Sequence, residues 1–171
     1  MLVYLKYFLC DVFLLTTLPS VLTTHKHAFN HQPFAVNRSA FYKALEDHDK
    51  SMVNIQLEVL KSAPEGLKPA FIGAMLMKRA EFGGTAASKL HYFKEGRKML
   101  ESAIKADPEN TEFRLLRLII QEHAPNFLGY RNNVDQDGEY IRKSYKALPD
   151  EVQQAILHYS KKSKFLKLDV S

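Results

Sequence analysis

Cysteine is nearly missing. Cys10 is the single one in 171 residues, so the chain closes no internal disulfide, and its place in a segment expected to be removed argues against a thiol nucleophile. The chain also lacks H-E-x-x-H, G-x-S-x-G, a Walker-type phosphate loop and G-x-G-x-x-G, which removes the strongest sequence-visible protease, hydrolase and nucleotide-binding readings. No stretch alternates apolar and polar residues in the manner of an antiparallel strand. Charge of one sign is in short supply as well. Twenty-four Lys and Arg against nineteen Asp and Glu leave +5, too mild and too evenly spread to argue for nucleic acid, and this balance mainly predicts solubility. Glycine and proline number seven each beside 46% hydrophobic residues, which excludes collagen-like, coiled-coil and disordered classes. What is there is a globular chain of single-domain length.

The first 22 residues are strongly apolar, with Lys6 ahead of a run through Phe8, Leu9, Phe13, Leu14, Leu15 and Leu18 that Pro19 and Ser20 interrupt. This is the shape of a secretory signal, and residues 1–24 are read as a signal peptide or N-terminal anchor. The run is too short and interrupted to span a bilayer comfortably. Asp11 inside it and Leu22-Thr23-Thr24 in place of a small-residue cleavage site depart from the pattern, and the alternative is a buried first helix of the mature domain. The expected setting is periplasmic or secreted, with membrane contact through this segment only.

Residues 25–38, carrying His25, His27, His31 and Pro33, read as an irregular leader. A helical domain is expected over 39–164 and a basic tail over 165–171, with Lys161, Lys162, Lys164 and Lys167 fraying the terminus. Ser39 is taken as the cap of a helix to Asp47. Asp49 caps a second helix that turns Met52, Ile55, Val59 and Leu60 inward. Pro69 starts a third, which Gly83-Gly84 stops. The pattern from Ala86 to Ala106 buries Leu90, Phe93, Leu100, Ala103 and Ile104. Gly96, set opposite Phe93 and Leu100, implies that another helix packs closely there, since an interior glycine otherwise costs roughly 1 kcal/mol. Thr111 to His123 is apolar around most of its circumference and is expected to be the most buried helix. Asp135 to Ala147 and a last helix opened by Pro149 and Asp150 complete an all-α fold of six to seven helices packed as antiparallel pairs.

The stretch GRKMLESAIKADPEN, residues 96–110, resembles the second helix and closing turn of a tetratricopeptide repeat, with Gly96, Ala103 and Pro108 at the family's offsets. The resemblance covers one repeat unit and implies a stack of helix pairs, an α-α superhelix. More broadly, KLHYFKEGRKMLESAIKADPENTEFRLLRLIIQ and PNFLGYRNNVDQD resemble a group of uncharacterised exported helical proteins of Bacteroidota. That resemblance implies a bacterial envelope setting and no assigned chemistry.

Four constellations were weighed for chemistry. The three leader histidines have the right type for metal ligands but sit on no rigid element. Asn133, Asp135, Asp137 and Gly138 match the first half of a calcium loop, whose twelfth position is Ser144 instead of a glutamate; the alternative is a helix start whose acids favour the macrodipole. Asn37-Arg38-Ser39 fits a glycosylation acceptor of eukaryotic secretion. Arg114, Arg117 and Gln121 share one stripe of the central helix and, with Tyr130 and Arg131, form the candidate partner-binding set. Against this stands the bland reading, in which the arginines pair with acids such as Asp107, Glu112 or Asp135 and tie helices together. No cofactor is expected. The functional expectation is a non-catalytic interaction or scaffold module with an unknown protein or peptide partner and no nucleic acid. The alternatives are an enzyme built from dispersed residues such as His91, Glu122 and His123, or a weak calcium or small-ligand binder.

Overall fold

The computed structural model describes residues 36–168; the apolar N-terminal segment, Cys10 and the three leader histidines lie outside them. Among the described residues there are seven α-helices and no strand: α1 (Arg38–Glu46), α2 (Lys50–Leu60), α3 (Lys68–Arg79), α4 (Ala86–Ala106), α5 (Thr111–His123), α6 (Val134–Ser144) and α7 (Asp150–Ser160), with three single-turn 3-10 segments between them. None of these helices is long and apolar enough to cross a membrane.

The boundaries follow local chemistry. Asp49 caps α2 by accepting from the Ser51 and Met52 nitrogens, and Asn110 caps α5 by accepting from Phe113. Thr85 and Ser88 exchange hydrogen bonds in a capping box at the start of α4. At α1 the expectation needs correcting. Asn37, not Ser39, is the cap, accepting from the Ala40 nitrogen at 3.0 Å, and the helix begins at Arg38. The leader expected to run to residue 38 therefore already holds a structural cap, and Asn37 of the glycosylation pattern is that cap.

Consecutive helices fold back on one another. In the α3–α4 pair, Gly73 faces Gly96 and Leu100 while Met77 faces Gly96, which is an antiparallel register. A methyl group placed on Gly73 would lie 2.7 Å from both the Gly96 carbonyl and the Leu100 nitrogen, so the two backbones touch. Gly96 shares its face with Phe93 and Leu100, both buried, instead of standing opposite them. The α5–α6 pair is antiparallel too, with Gln121 opposite Asn133 and Arg117 opposite Asp137. By contrast α1 and α7 run side by side in the same direction, as the Arg38–Glu151 and Glu46–His158 contacts show.

The core lies where these layers meet. Phe41 of α1 stacks on Phe71 of α3 at 4.7 Å between ring centroids. Leu115, Leu116 and Leu118 of α5 are fully buried, as the sequence leads one to expect of the central helix. Two expected faces are right only in part: Leu60 on α2 and Phe93, Leu100, Ala103 and Ile104 on α4 are buried as expected. On α2 the buried residues are Val53, Gln56 and Leu60, while Ile55 and Val59 are exposed; on α4, Leu90 is exposed. Each of these helices is covered on a narrow stripe only, and apolar side chains one position off the stripe meet water.

The described part of the basic terminus, residues 161–168, is not frayed but forms a strap. Leu166 is fully buried and Ser163 nearly so. Ser163 Oγ donates to Glu122 at 2.6 Å and accepts from the Phe165 and Leu166 nitrogens. The strap crosses α6 at Gly138, where a Cβ would sit 2.6 Å from the Phe165 carbonyl. That close approach, and not a calcium-loop turn, is what the glycine serves.

Candidate functional site

Of the residues singled out from sequence, Arg114, Arg117, Gln121 and Tyr130 are brought together with polar atoms facing inward, while Arg131 is partly exposed. Asp137 on the first turn of α6 is fully buried and accepts from Arg117 Nε at 2.7 Å and Nη2 at 2.8 Å, with Arg114 Nη1 at 3.2 Å. This is a two-pronged guanidinium–carboxylate contact. Arg117 Nη1 also donates to Glu101 on α4 at 3.0 Å, and Glu101 accepts from the Tyr130 hydroxyl at 2.6 Å. Burial opposes the Arg117 charge, but the bonds and charge of Asp137 and Glu101 outweigh it and hold the guanidinium protonated well above its ordinary range. Gln121, fully buried, closes a reciprocal pair with Asn133. Arg114 donates to the Pro108 carbonyl at 2.8 Å and lies over the Tyr140 ring. Arg131, partly exposed, bonds Asn126 at 2.9 Å.

The arginines do pair with acids, though not with those named from sequence. Asp137 and Glu101 take the place of Asp107 and Asp135, while Glu112 pairs with Arg38. The calcium-loop reading is overturned by the same contacts. Asp137 spends its oxygens on the arginines and Asp135 is exposed on the opening turn of a helix, where acids suit the macrodipole.

Two concavities among the described residues bear on the question. The larger, about 1020 Å³, is an open groove between α1 and α7, lined by Val36, Arg38, Tyr42, Gln154, Ala155 and His158 among others. At its edge Glu112, only 7% exposed in its side chain, accepts from Arg38 Nε at 2.7 Å and Nη2 at 2.9 Å and from the Tyr42 hydroxyl at 3.2 Å. Arg38 reaches on to Glu151 at 3.2 Å. Sequence reading missed this groove, because the Arg38–Glu151 contact spans 113 positions of chain and no local spacing connects them.

The smaller, about 280 Å³, lies at the end of α5 and is lined by Glu122, His123, Arg131, Tyr159, Lys162 and Lys164. Here two residues of the enzyme alternative meet, without a free pair. The Glu122 carboxylate accepts from the Tyr159 and Ser163 hydroxyls at 2.6 Å each and from the Lys164 nitrogen at 2.7 Å, whereas His123 Nδ1 is 2.8 Å from the Ile119 carbonyl. His91, on α4, does not line it.

Three buried phenols share one arrangement: Tyr42, Tyr130 and Tyr159 each donate to a carboxylate, on Glu112, Glu101 and Glu122. Burial first, and the adjacent carboxylate second, push all three above the ordinary 10.0. A phenol whose ionisation is harder in the folded chain contributes stability that is complete below pH 10.0 and is lost as pH rises beyond it. Alkaline titration followed by ultraviolet absorbance should therefore show a tyrosine fraction ionising only with the collapse of the helical circular dichroism signal. Smooth ionisation of all the tyrosines in a chain that stays helical would contradict the three contacts.

No family model, curated protein or solved structure matches the chain.

Proposed function

We propose that the chain is an exported, non-catalytic interaction module of helix pairs, tetratricopeptide-like around α3 and α4, whose α1–α7 groove receives a segment of another protein. The apolar run before His25 supports export. The groove carries the rest: at about 1020 Å³ it exceeds the small cavity, and its Arg38, Lys43 and Glu46 are already held in ion pairs at its walls. Pre-paired charges suit recognition by shape and by the exposed amide of Gln154, not proton transfer. The enzyme alternative fits less well, because His91 does not join Glu122 and His123 at the small cavity and Glu122 is committed to three donors.

A photoreactive residue at Gln154, compared with one at exposed Glu58 on α2, tests the reading in full-length protein from the cell envelope. Discrete adducts from position 154 alone, lost when Ala155→Arg fills the groove, are the expected result. Equal adducts from both positions, or none, would overturn the groove, and soluble full-length protein confined to the cytoplasm would overturn export.

A further inference from the structure

Beyond the groove, we propose that the end of the molecule formed by the α5–α6 turn and the C-terminal strap docks on an anionic membrane surface. Phe127 stands on the 3-10 turn Asn126–Leu128 and is 86% exposed, more than any other large apolar side chain described. Its neighbours hold the turn rigidly: Leu128 packs on the core and Arg131 bonds Asn126 at 2.9 Å. Arg131 in turn lines the small cavity with Lys162 and Lys164. Ser160 to Leu168 carries four lysines and no acid.

The charges are largely free. Among the described residues Arg131, Lys161, Lys164 and Lys167 form no ion pair, and only Lys162 does, with Glu46 at 2.7 Å. The cavity's three cations, Arg131, Lys162 and Lys164, outnumber its one carboxylate, Glu122, whose oxygens accept from Tyr159, Ser163 and the Lys164 backbone. A solitary aromatic projecting into water beside fixed cations matches the demand of a lipid interface, where the ring enters the headgroup region and the cations meet phosphates. An acidic protein would satisfy the cations but leave the projecting ring without an apolar receptor. The strap owes its place to Leu166 and Ser163, whose burial aims the lysines outward from an ordered backbone.

The chain has no tryptophan, so Phe127→Trp places a single fluorophore at the proposed point of entry and reports on this surface even if the apolar N-terminal segment also binds lipid. Full-length protein is mixed with vesicles of phosphatidylcholine alone or with about one third phosphatidylglycerol. Emission should shift to shorter wavelength with the anionic vesicles only, and adding Lys161→Gln and Lys164→Gln, both at exposed positions, should raise the lipid concentration needed by roughly 30-fold. Melting temperatures of both variants should stay near that of the unaltered chain, because the side chains replaced make few contacts. No shift with either vesicle, an equal shift with both, or the same shift with soluble polyglutamate would overturn the proposal.

Discussion

Asp137→Ala should cost roughly 3–5 kcal/mol of stability in urea unfolding, because it leaves a buried guanidinium with Glu101 as its one remaining acidic partner. Arg117 is only 7% exposed in its side chain and turns two of its three nitrogens, Nε and Nη2, on Asp137; the third, Nη1, reaches Glu101. Arg117→Ala should be costly for the converse reason, leaving a fully buried carboxylate with only the 3.2 Å contact of Arg114. Replacing both at once, Arg117→Met with Asp137→Leu, should recover a substantial part of the loss, since apolar side chains of similar volume need no compensating charge. Asp135→Ala, on the same turn but exposed, should change stability by less than about 0.5 kcal/mol. If Asp137→Ala were as mild as Asp135→Ala, the ion pair would not be the tie between α5 and α6 described above. Loss of partner capture in an Arg117 variant has to be judged on folded protein, because the residue links α5 to α6 and α4.

Gly96→Leu is the second large effect. The first atom beyond the glycine Cα would collide with the Gly73 carbonyl and lie 2.8 Å from the Met77 nitrogen, both backbone atoms that no rotamer change can move aside. Helix propensity alone points the other way, toward a gain of roughly 1 kcal/mol for replacing an interior glycine. Packing should win: separating α3 from α4 strains a well-filled core, at roughly 3 kcal/mol or more for leucine and a smaller net loss for alanine. For a domain of this size that corresponds to a fall of about 10 °C in melting temperature. Gly84→Ala is the control, since a methyl there meets nothing within 4 Å. A Gly96→Leu protein that melts where the unaltered chain does would mean that α3 and α4 do not touch at this point.

Helix ends and the central helix were legible from sequence because their causes are local. Asp49 caps the residues just after it, Pro69 starts α3, the run from Ala86 to Ala106 is bounded by Thr85 and Asp107, and the apolar ring of Leu115, Leu116, Leu118 and Ile119 marks a helix surrounded by others. Faces were less legible where coverage is partial. Ile55 and Leu90 satisfy the same periodicity as buried residues, and only the position of the neighbouring helix decides which side meets water.

The sequence by itself determined an all-α fold, its six to seven helical segments and the need for close contact at Gly96, because hydrophobic period, caps and an interior glycine act within a turn or two of chain. Only the tertiary structure decided which acid meets which arginine. Asp107, Glu112, Asp135, Asp137 and Glu101 are interchangeable in type; the antiparallel register of α5 against α6 puts Asp137 opposite Arg117, and the path of α4 brings Glu101 to its far side. Tertiary structure likewise turned a lysine-rich end that reads as a loose tail into a strap held by Leu166, Ser163 and Glu122, and formed a groove from helices at opposite ends of the described chain. Such contacts depend on where distant segments come to rest, and chain closure over a hundred residues leaves no trace in local spacing.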